Sequence, residues 1–231
     1  MPIERLFDLG RMICIGMHYL YRGGIDMGLL REIFGPSQHE VWEALCQEIG
    51  ADLIDGGFFK GTKVVAEIKE WVITLDTYTV STGKTSTTYT RMRAPYLNKD
   101  GFKFRIYRKG IFSNIGKLLG LQDIEVGYPE FDDQFIIKGN DSDKLVGLFS
   151  NSRIRKLIEI QPDISLEVKD DEGWFGSEFP EGVDELYFQV PGIIKDMDRL
   201  KTLYFLFAEV LNQLCLIDSA YEDSPDVTAQ L

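Results

Sequence analysis

The sequence predicts an α+β protein: a largely antiparallel sheet in the middle of the chain, packed by N-terminal, central and C-terminal helices. Three observations carry this reading. Apolar residues recur three and four apart near both ends. From Asp52 to about Lys138 the pattern changes to short runs dense in Thr, Tyr, Phe, Ile and Val, with breaks that contain Gly, Asn or Asp. The composition, 44% apolar and 27% charged over 231 residues, is that of a globular chain long enough to bury a large core.

Residues 3–34 read as helical, with Leu6, Leu9, Ile13, Met17 and Leu20 on one face, a break at Gly23-Gly24 and a stop at Gly35-Pro36. A second helix runs from Gln38 to Ile49, with Ser37 as N-cap and Gly50 at the stop position. Six strands follow: Leu53–Phe59, Lys63–Lys69, Trp71–Val80, Ser86–Tyr96, Phe102–Arg108 and Phe131–Lys138, with a short helical piece at Ile115–Leu121. The pattern suits a meander. A third helix spans Ser142–Ile160, capped by Asn140 or Asp141. Strands at Ile164–Val168, Gly173–Gly176 and Leu186–Val190 precede a last helix, about 194–218. This divides the chain into an N-terminal helical segment (1–36), one α+β domain (37–221) and an acidic tail (222–231) that should fray. The last helix has a broad apolar stripe, Met197, Leu200, Tyr204, Phe207, Leu211 and Leu214 among its members. It fits burial inside the monomer, with the N-terminal helix as cover, or a contact between copies in a homo-oligomer.

The net charge of −12 opposes nucleic acid and anionic membrane. Cys14, Cys46 and Cys215 are odd in number and far apart, which favours free thiols in a reducing compartment over a disulfide framework. The longest uncharged N-terminal run, Met12–Tyr21, is too short to span a bilayer, which takes about 20 residues, and acidic Glu4 and Asp8 precede it, unlike a secretory signal. The expected location is the cytoplasm.

Several motifs fail on inspection. Gly83-Lys84-Thr85 ends like a phosphate-binding loop, but the first Gly of that loop belongs at position 78, which is Tyr, and a strand-like segment follows instead of a helix. The better reading is a hairpin tip with an even loop, in which Gly83 takes positive φ. The register expected with it sets Ile73 opposite Met92, Trp71 opposite Ala94 and Thr74 opposite Arg91. His39–Glu43 misses HExxH by its last residue, and Ser37-x-x-Glu40 reads as a capping box. Asp141-Ser142-Asp143 lacks the glycine and glutamate of a calcium loop, since Val146 and Ser152 stand at the sixth and twelfth positions. G-x-S-x-G is absent from the sequence. The motifs call for no metal and no cofactor, and they lean against an enzyme.

The charge map is the informative feature. Ser81–Gly120 holds nine basic residues against the single acid Asp100, a local +8 in a chain that is otherwise −20. By alternation Arg91 and Arg93 share one strand face with Tyr89, and Lys103, Arg105 and Tyr107 share another. If those strands are neighbours, a basic stripe crosses the sheet. Two readings stand: internal neutralisation by the acidic remainder, including Asp170 and Asp171, or an anion-binding face in which arginine forks grip phosphate or carboxylate. The candidate site is therefore Arg91, Arg93, Lys103, Arg105, Tyr89 and Tyr107, for an anionic small molecule or an acidic protein segment. The leading expectation is a non-enzymatic binding module. The alternatives are an enzyme acting on a phosphate-bearing or anionic small molecule, and a structural subunit of a homo-oligomer.

The phrases "WVITLDTYTVSTGK", "TYTRMRAPYLNKDGFKFRIYRKG", "LQDIEVG", "FDDQFIIKGND" and "DELYFQVPGIIKD" together resemble an uncharacterised family of bacterial proteins, a domain of unknown function. The resemblance covers roughly residues 40–220. It implies a bacterial, soluble α+β module and assigns no functional residue.

Overall fold

A computed structural model describes residues 35–56, 61–110, 122–170, 179–225 and 227. The chain divides at Ser37 into two units, and the second, Gln38–Leu231, carries everything described below. The predicted helix over 3–34, the helical piece at 115–121, the strand at 173–176 and Cys14 lie outside the described residues.

In chain order the elements are α1 (Gln38–Ile49), β1 (Asp52–Ile54), β2 (Lys63–Ile68), β3 (Trp71–Ser81), β4 (Ser86–Leu97), β5 (Phe104–Arg108), β6 (Gln122–Asp123), α2 (Pro129–Gln134), β7 (Phe135–Gly139), α3 (Ser142–Ser150), α4 (Ser152–Glu159), β8 (Ser165–Lys169), β9 (Val183–Pro191) and α5 (Met197–Leu216). The strands form one nine-stranded sheet in the order β1-β2-β3-β4-β9-β8-β5-β7-β6. Every neighbouring pair is antiparallel. The class is α+β, as expected.

Helices cover one face of the sheet. Trp42 and Leu45 of α1 and Leu200, Leu203, Phe207, Val210, Leu211 and Leu214 of α5 share a core with Trp71, Ile73, Leu75, Met92, Ala94, Leu186 and Phe188 of the sheet. The Trp42 indole donates to the Ile194 carbonyl at 3.3 Å, which ties α1 to the segment leading into α5. The apolar stripe of α5 is thus buried within the monomer, and α1, α3 and α4 all pack on this helix.

Four sequence expectations need correction. The meander holds only through β4, because β9 and β8 then stand between β4 and β5. The loop Thr82–Thr85 is even and Gly83 has φ +79°, but the register is displaced by two residues: Leu75 faces Met92, Thr74 faces Arg93 and Asp76 faces Arg91. Thr82 N–H donates to Thr85 O at 2.9 Å, so the turn is centred on Gly83-Lys84 instead of Thr82-Gly83, and this one-residue shift of the centre moves every pair by two. A two-residue slip leaves each side chain on its expected face. Phe131–Gln134 belongs to α2, not to a strand, since Pro129 opens a helical turn and the Asp132 carboxylate accepts from the N–H groups of Val126, Gly127 and Tyr128. The helix expected over Ser142–Ile160 is two helices. Asp141 caps α3, and Asn151, extended at φ −68° and ψ 105°, caps α4 by accepting from Arg153 N–H.

Candidate functional site on the polar face of the sheet

Partners directly opposite each other point to the same face, so the register defines what lies on the face away from the helices. One row runs across the sheet: Thr74 on β3, Arg93 on β4, Tyr187 on β9, Glu167 on β8, Arg105 on β5, Lys138 on β7 and Asp123 on β6. A second row holds Asp76, Arg91 and Gln189, and a third holds Pro95, Glu185 and Lys169. Charged groups of both signs alternate. Most are buried, Arg93 at 2% exposure and Glu167 at 6%.

Asp76 organises the β3–β4 end. Its carboxylate accepts from Arg91 Nε and Nη2, both at 2.8 Å, and from Arg93 Nη2 at 2.7 Å. Burial pushes the carboxyl pKa up, but the Arg91 hydrogen bonds and the Arg93 charge outweigh burial and hold it below the usual carboxylate range. The Arg91 guanidinium also lies over the Tyr78 ring, 5.0 Å from its centroid. Tyr78 stacks on its cross-strand partner Tyr89 at 5.3 Å, with 17° between the rings.

Glu167 does the same at the centre. Arg105 Nε and Lys169 Nζ each lie 3.5 Å from it. Lys169 Nζ sits 3.3 Å from the centroid of the Tyr187 ring, and burial holds its amine below the ordinary lysine value despite Glu167. The Tyr187 and Tyr78 phenols both donate to Gln189 Oε1, at 2.9 and 2.5 Å, and burial raises both phenol pKa values.

The six residues singled out in the sequence are all on the described chain, but they do not form one stripe. Arg91, Arg93 and Tyr89 sit on β4, while Lys103, Arg105 and Tyr107 belong to β5 or its approach, with β9 and β8 between. Three strand spacings put about 14 Å between the two groups. The conditional neighbourhood of these strands is therefore not realised, and Tyr187 and Glu167 interpose. Each basic member also has a carboxylate at hand: Asp76 for Arg91 and Arg93, Asp170 for Lys103 at 2.5 Å, Glu167 for Arg105. Tyr107 is half-buried with the Arg105 guanidinium 5.7 Å from its ring. Arg93 and Arg105 are buried, whereas the Arg91 side chain keeps 19% exposure.

Sequence reasoning missed Asp76, Tyr78, Glu167, Lys169, Tyr187 and Gln189 as members of this site. Asp76 was within reach, because the correct hairpin register places it opposite Arg91. The alternation in "SLEVK" and "DELYFQV" marks Glu167, Lys169, Glu185, Tyr187 and Gln189 as one face of two strands. Nothing local says those strands insert beside β4.

No family model matches the chain, and no curated protein does, which accords with its resemblance to an uncharacterised family. Among solved structures it is similar to the mycobacterial trehalose monomycolate transport factor A, TtfA, with 10% identity and a TM-score of 0.45 over 76% of this chain and 95% of that one. A likeness at that level carries no argument about what this chain does.

Proposed function

We propose that the chain is a non-enzymatic binding module of the bacterial cytoplasm, and that the polar sheet face recognises an anionic ligand or an acidic segment of a partner. One observation carries the reading. Arg91 stands at the accessible rim of a charged layer, with its guanidinium already oriented by Asp76 and the Tyr78 ring. A fork fixed before binding loses little conformational entropy on engaging a carboxylate or phosphate. In this reading Arg93 and Arg105 form the frame, while Arg91, Tyr89, Lys103 and Tyr107 make contact. Recognition is by charge-assisted hydrogen bonds, and no bond is made or broken. The free thiols Cys46 and Cys215 support a reducing compartment. No helix among the described residues is long and apolar enough to cross a membrane.

The test is a titration of the labelled protein with inorganic phosphate and with a short poly-glutamate peptide, following the Arg91 Nε–H resonance. A saturable shift that Arg91→Gln abolishes, with the fold retained, supports the proposal. A resonance unmoved by millimolar amounts of both probes refutes it. A second reading, an enzyme acting on a phosphate-bearing or anionic small molecule, draws on Lys169, whose half-buried amine lies on the Tyr187 ring and is held below the ordinary lysine value by desolvation. It requires that the protein turn over some phosphate ester, and that Lys169→Met stop the turnover without weakening anion binding.

A further inference from the structure

Two features at the rim of the polar face are not used by the ion pairs. The first is the amide of Gln189. Its oxygen accepts from both Tyr78 and Tyr187, at 2.5 and 2.9 Å, which fixes the orientation of the group. The amide nitrogen, on the other side, has no partner among the described residues and is not buried. Two N–H donors are thereby presented by a side chain held in place by two phenols, directly opposite Arg91 on the neighbouring strand. The second feature is the Tyr89 ring. It stacks on Tyr78 and makes no hydrogen bond to any described residue. Its neighbour on the β9 side is Gly192, which bridges to it, and a Cβ added at Gly192 would meet no atom within 4 Å. Tyr89 itself is only half-buried.

We infer that this rim is a subsite for a small ring-bearing anion, whose ring lies on Tyr89 and whose carboxylate or phosphate oxygens accept from Gln189 Nε2 beside the Arg91 charge. The inference rests on the anion-binding role proposed above and narrows it. A bare anion uses Arg91 and Gln189 but leaves the Tyr89 platform idle. A neutral ring uses Tyr89 but gains nothing from the guanidinium. Only a ligand with both parts, held close together, draws on all three side chains. In a chain of net charge −12 the anion must gain its affinity from such local donors, because the mean field opposes it.

Four probes separate the parts: acetate against benzoate, and inorganic phosphate against phenyl phosphate. Each is titrated into the full chain while the Arg91 Nε–H and Gln189 side-chain amide resonances are followed. The ring-bearing member of a pair is expected to bind about 5- to 10-fold tighter than its ringless counterpart, the gain of one aromatic contact. Whichever pair shows this gain assigns the acid as carboxylate or phosphate. Tyr89→Leu, which keeps bulk without a π face, should erase the advantage of the ring-bearing member within each pair. Gln189→Leu should weaken all members that bind. Equal affinity within both pairs, or an advantage that survives Tyr89→Leu, overturns the ring subsite. If acetate and phosphate still move Arg91 in that case, the anion-binding reading stands alone. If no probe moves Arg91, both fall.

Discussion

Replacing Asp76 by Asn tests how the charged layer is held. Asparagine preserves the shape of the side chain but turns one of two acceptor oxygens into a donor, aimed at guanidinium groups. In the native protein the Asp76 carboxylate takes three hydrogen bonds, two from Arg91 at 2.8 Å and one from Arg93 at 2.7 Å. The two arginines are not equivalent. Arg91 keeps 19% of its side-chain surface, so losing its partner costs at most about 1 kcal/mol. Arg93, at 2% exposure, cannot turn to water. Removing one member of a buried pair costs about 3–5 kcal/mol. Both arginines have further contacts, which places the expected loss near the lower end, about 3 kcal/mol. For a chain of this length that lowers Tm by about 6–12 °C. Urea and thermal unfolding of Asp76→Asn, Arg93→Met and the double variant provide the measurement. The double variant should cost at least about 1 kcal/mol less than the two single losses combined, because it leaves no buried guanidinium facing an amide. A loss below about 0.5 kcal/mol for Asp76→Asn would refute the reasoning, since it would mean that the carboxylate does not support Arg93.

Further expectations follow from the same geometry. The Asp76 carboxyl is held below its ordinary value, so the stability it contributes is full above about pH 4 and is lost as pH falls through the lower folded-state value. The gap in urea midpoint between the native protein and Asp76→Asn should therefore narrow on acidification below pH ~4; a gap that stays constant contradicts the assignment. Gly139→Ala should lose about 1–3 kcal/mol by overpacking, because the new Cβ would stand 2.6 Å from Leu145 Cδ1 and 3.2 Å from the Lys103 carbonyl oxygen; unchanged thermal stability would show that Leu145 can move aside. Trp42→Ala should lose about 3–5 kcal/mol from the core between α1 and the sheet, read by urea unfolding. Phe205 and Leu216 are the exposed apolar residues of α5, at 53% and 77%. If α5 joins copies of the chain, Phe205→Glu with Leu216→Glu should reduce the mass in sedimentation; an unchanged mass rules that contact out.

What the sequence made legible is what short-range periodicity encodes. Trp71, Ile73, Leu75, Met92 and Ala94 fall on the buried face by alternation alone, and Gly83 marks the reversal. The exact pairing was not legible. Beyond Leu75 and Met92 the two strands offer Thr77 to Thr90 and Thr79 to Thr88, hydroxyls that pair equally well when displaced by two. The break at Asn151 was legible in part. Leu145 with Leu148, and Ile154 with Ile158, each keep a helical spacing, but the six-residue step from Leu148 to Ile154 would put the two pairs on different faces of one continuous helix. The strand order was the larger gap. Alternation shows that a strand has a polar face but not which strand supplies the neighbouring row, so Glu167 and Tyr187 could not be set between Arg93 and Arg105.

That insertion changes what the basic segment means. A local +8 suggested a surface of one sign, yet the fold lays carboxylates from β3 and β8 into it. Packing buried ion pairs on a sheet face is not an efficient route to stability, since well-packed apolar side chains of similar volume often do as well or better. Stability alone therefore gives no reason for Asp76, Arg93, Glu167 and Arg105 to be what they are. What such a lattice does provide is orientation. Asp76 fixes Arg91 from one side, Tyr78 covers it, and the same Tyr78 with Tyr187 fixes the Gln189 amide opposite. The buried groups are second neighbours of the accessible ones, linked by hydrogen bonds short enough to transmit position. This division, a buried frame behind a small accessible rim, is what the binding proposal needs. In that proposal the six residues read from the sequence take two roles, Arg93 and Arg105 behind and Arg91, Tyr89, Lys103 and Tyr107 in front.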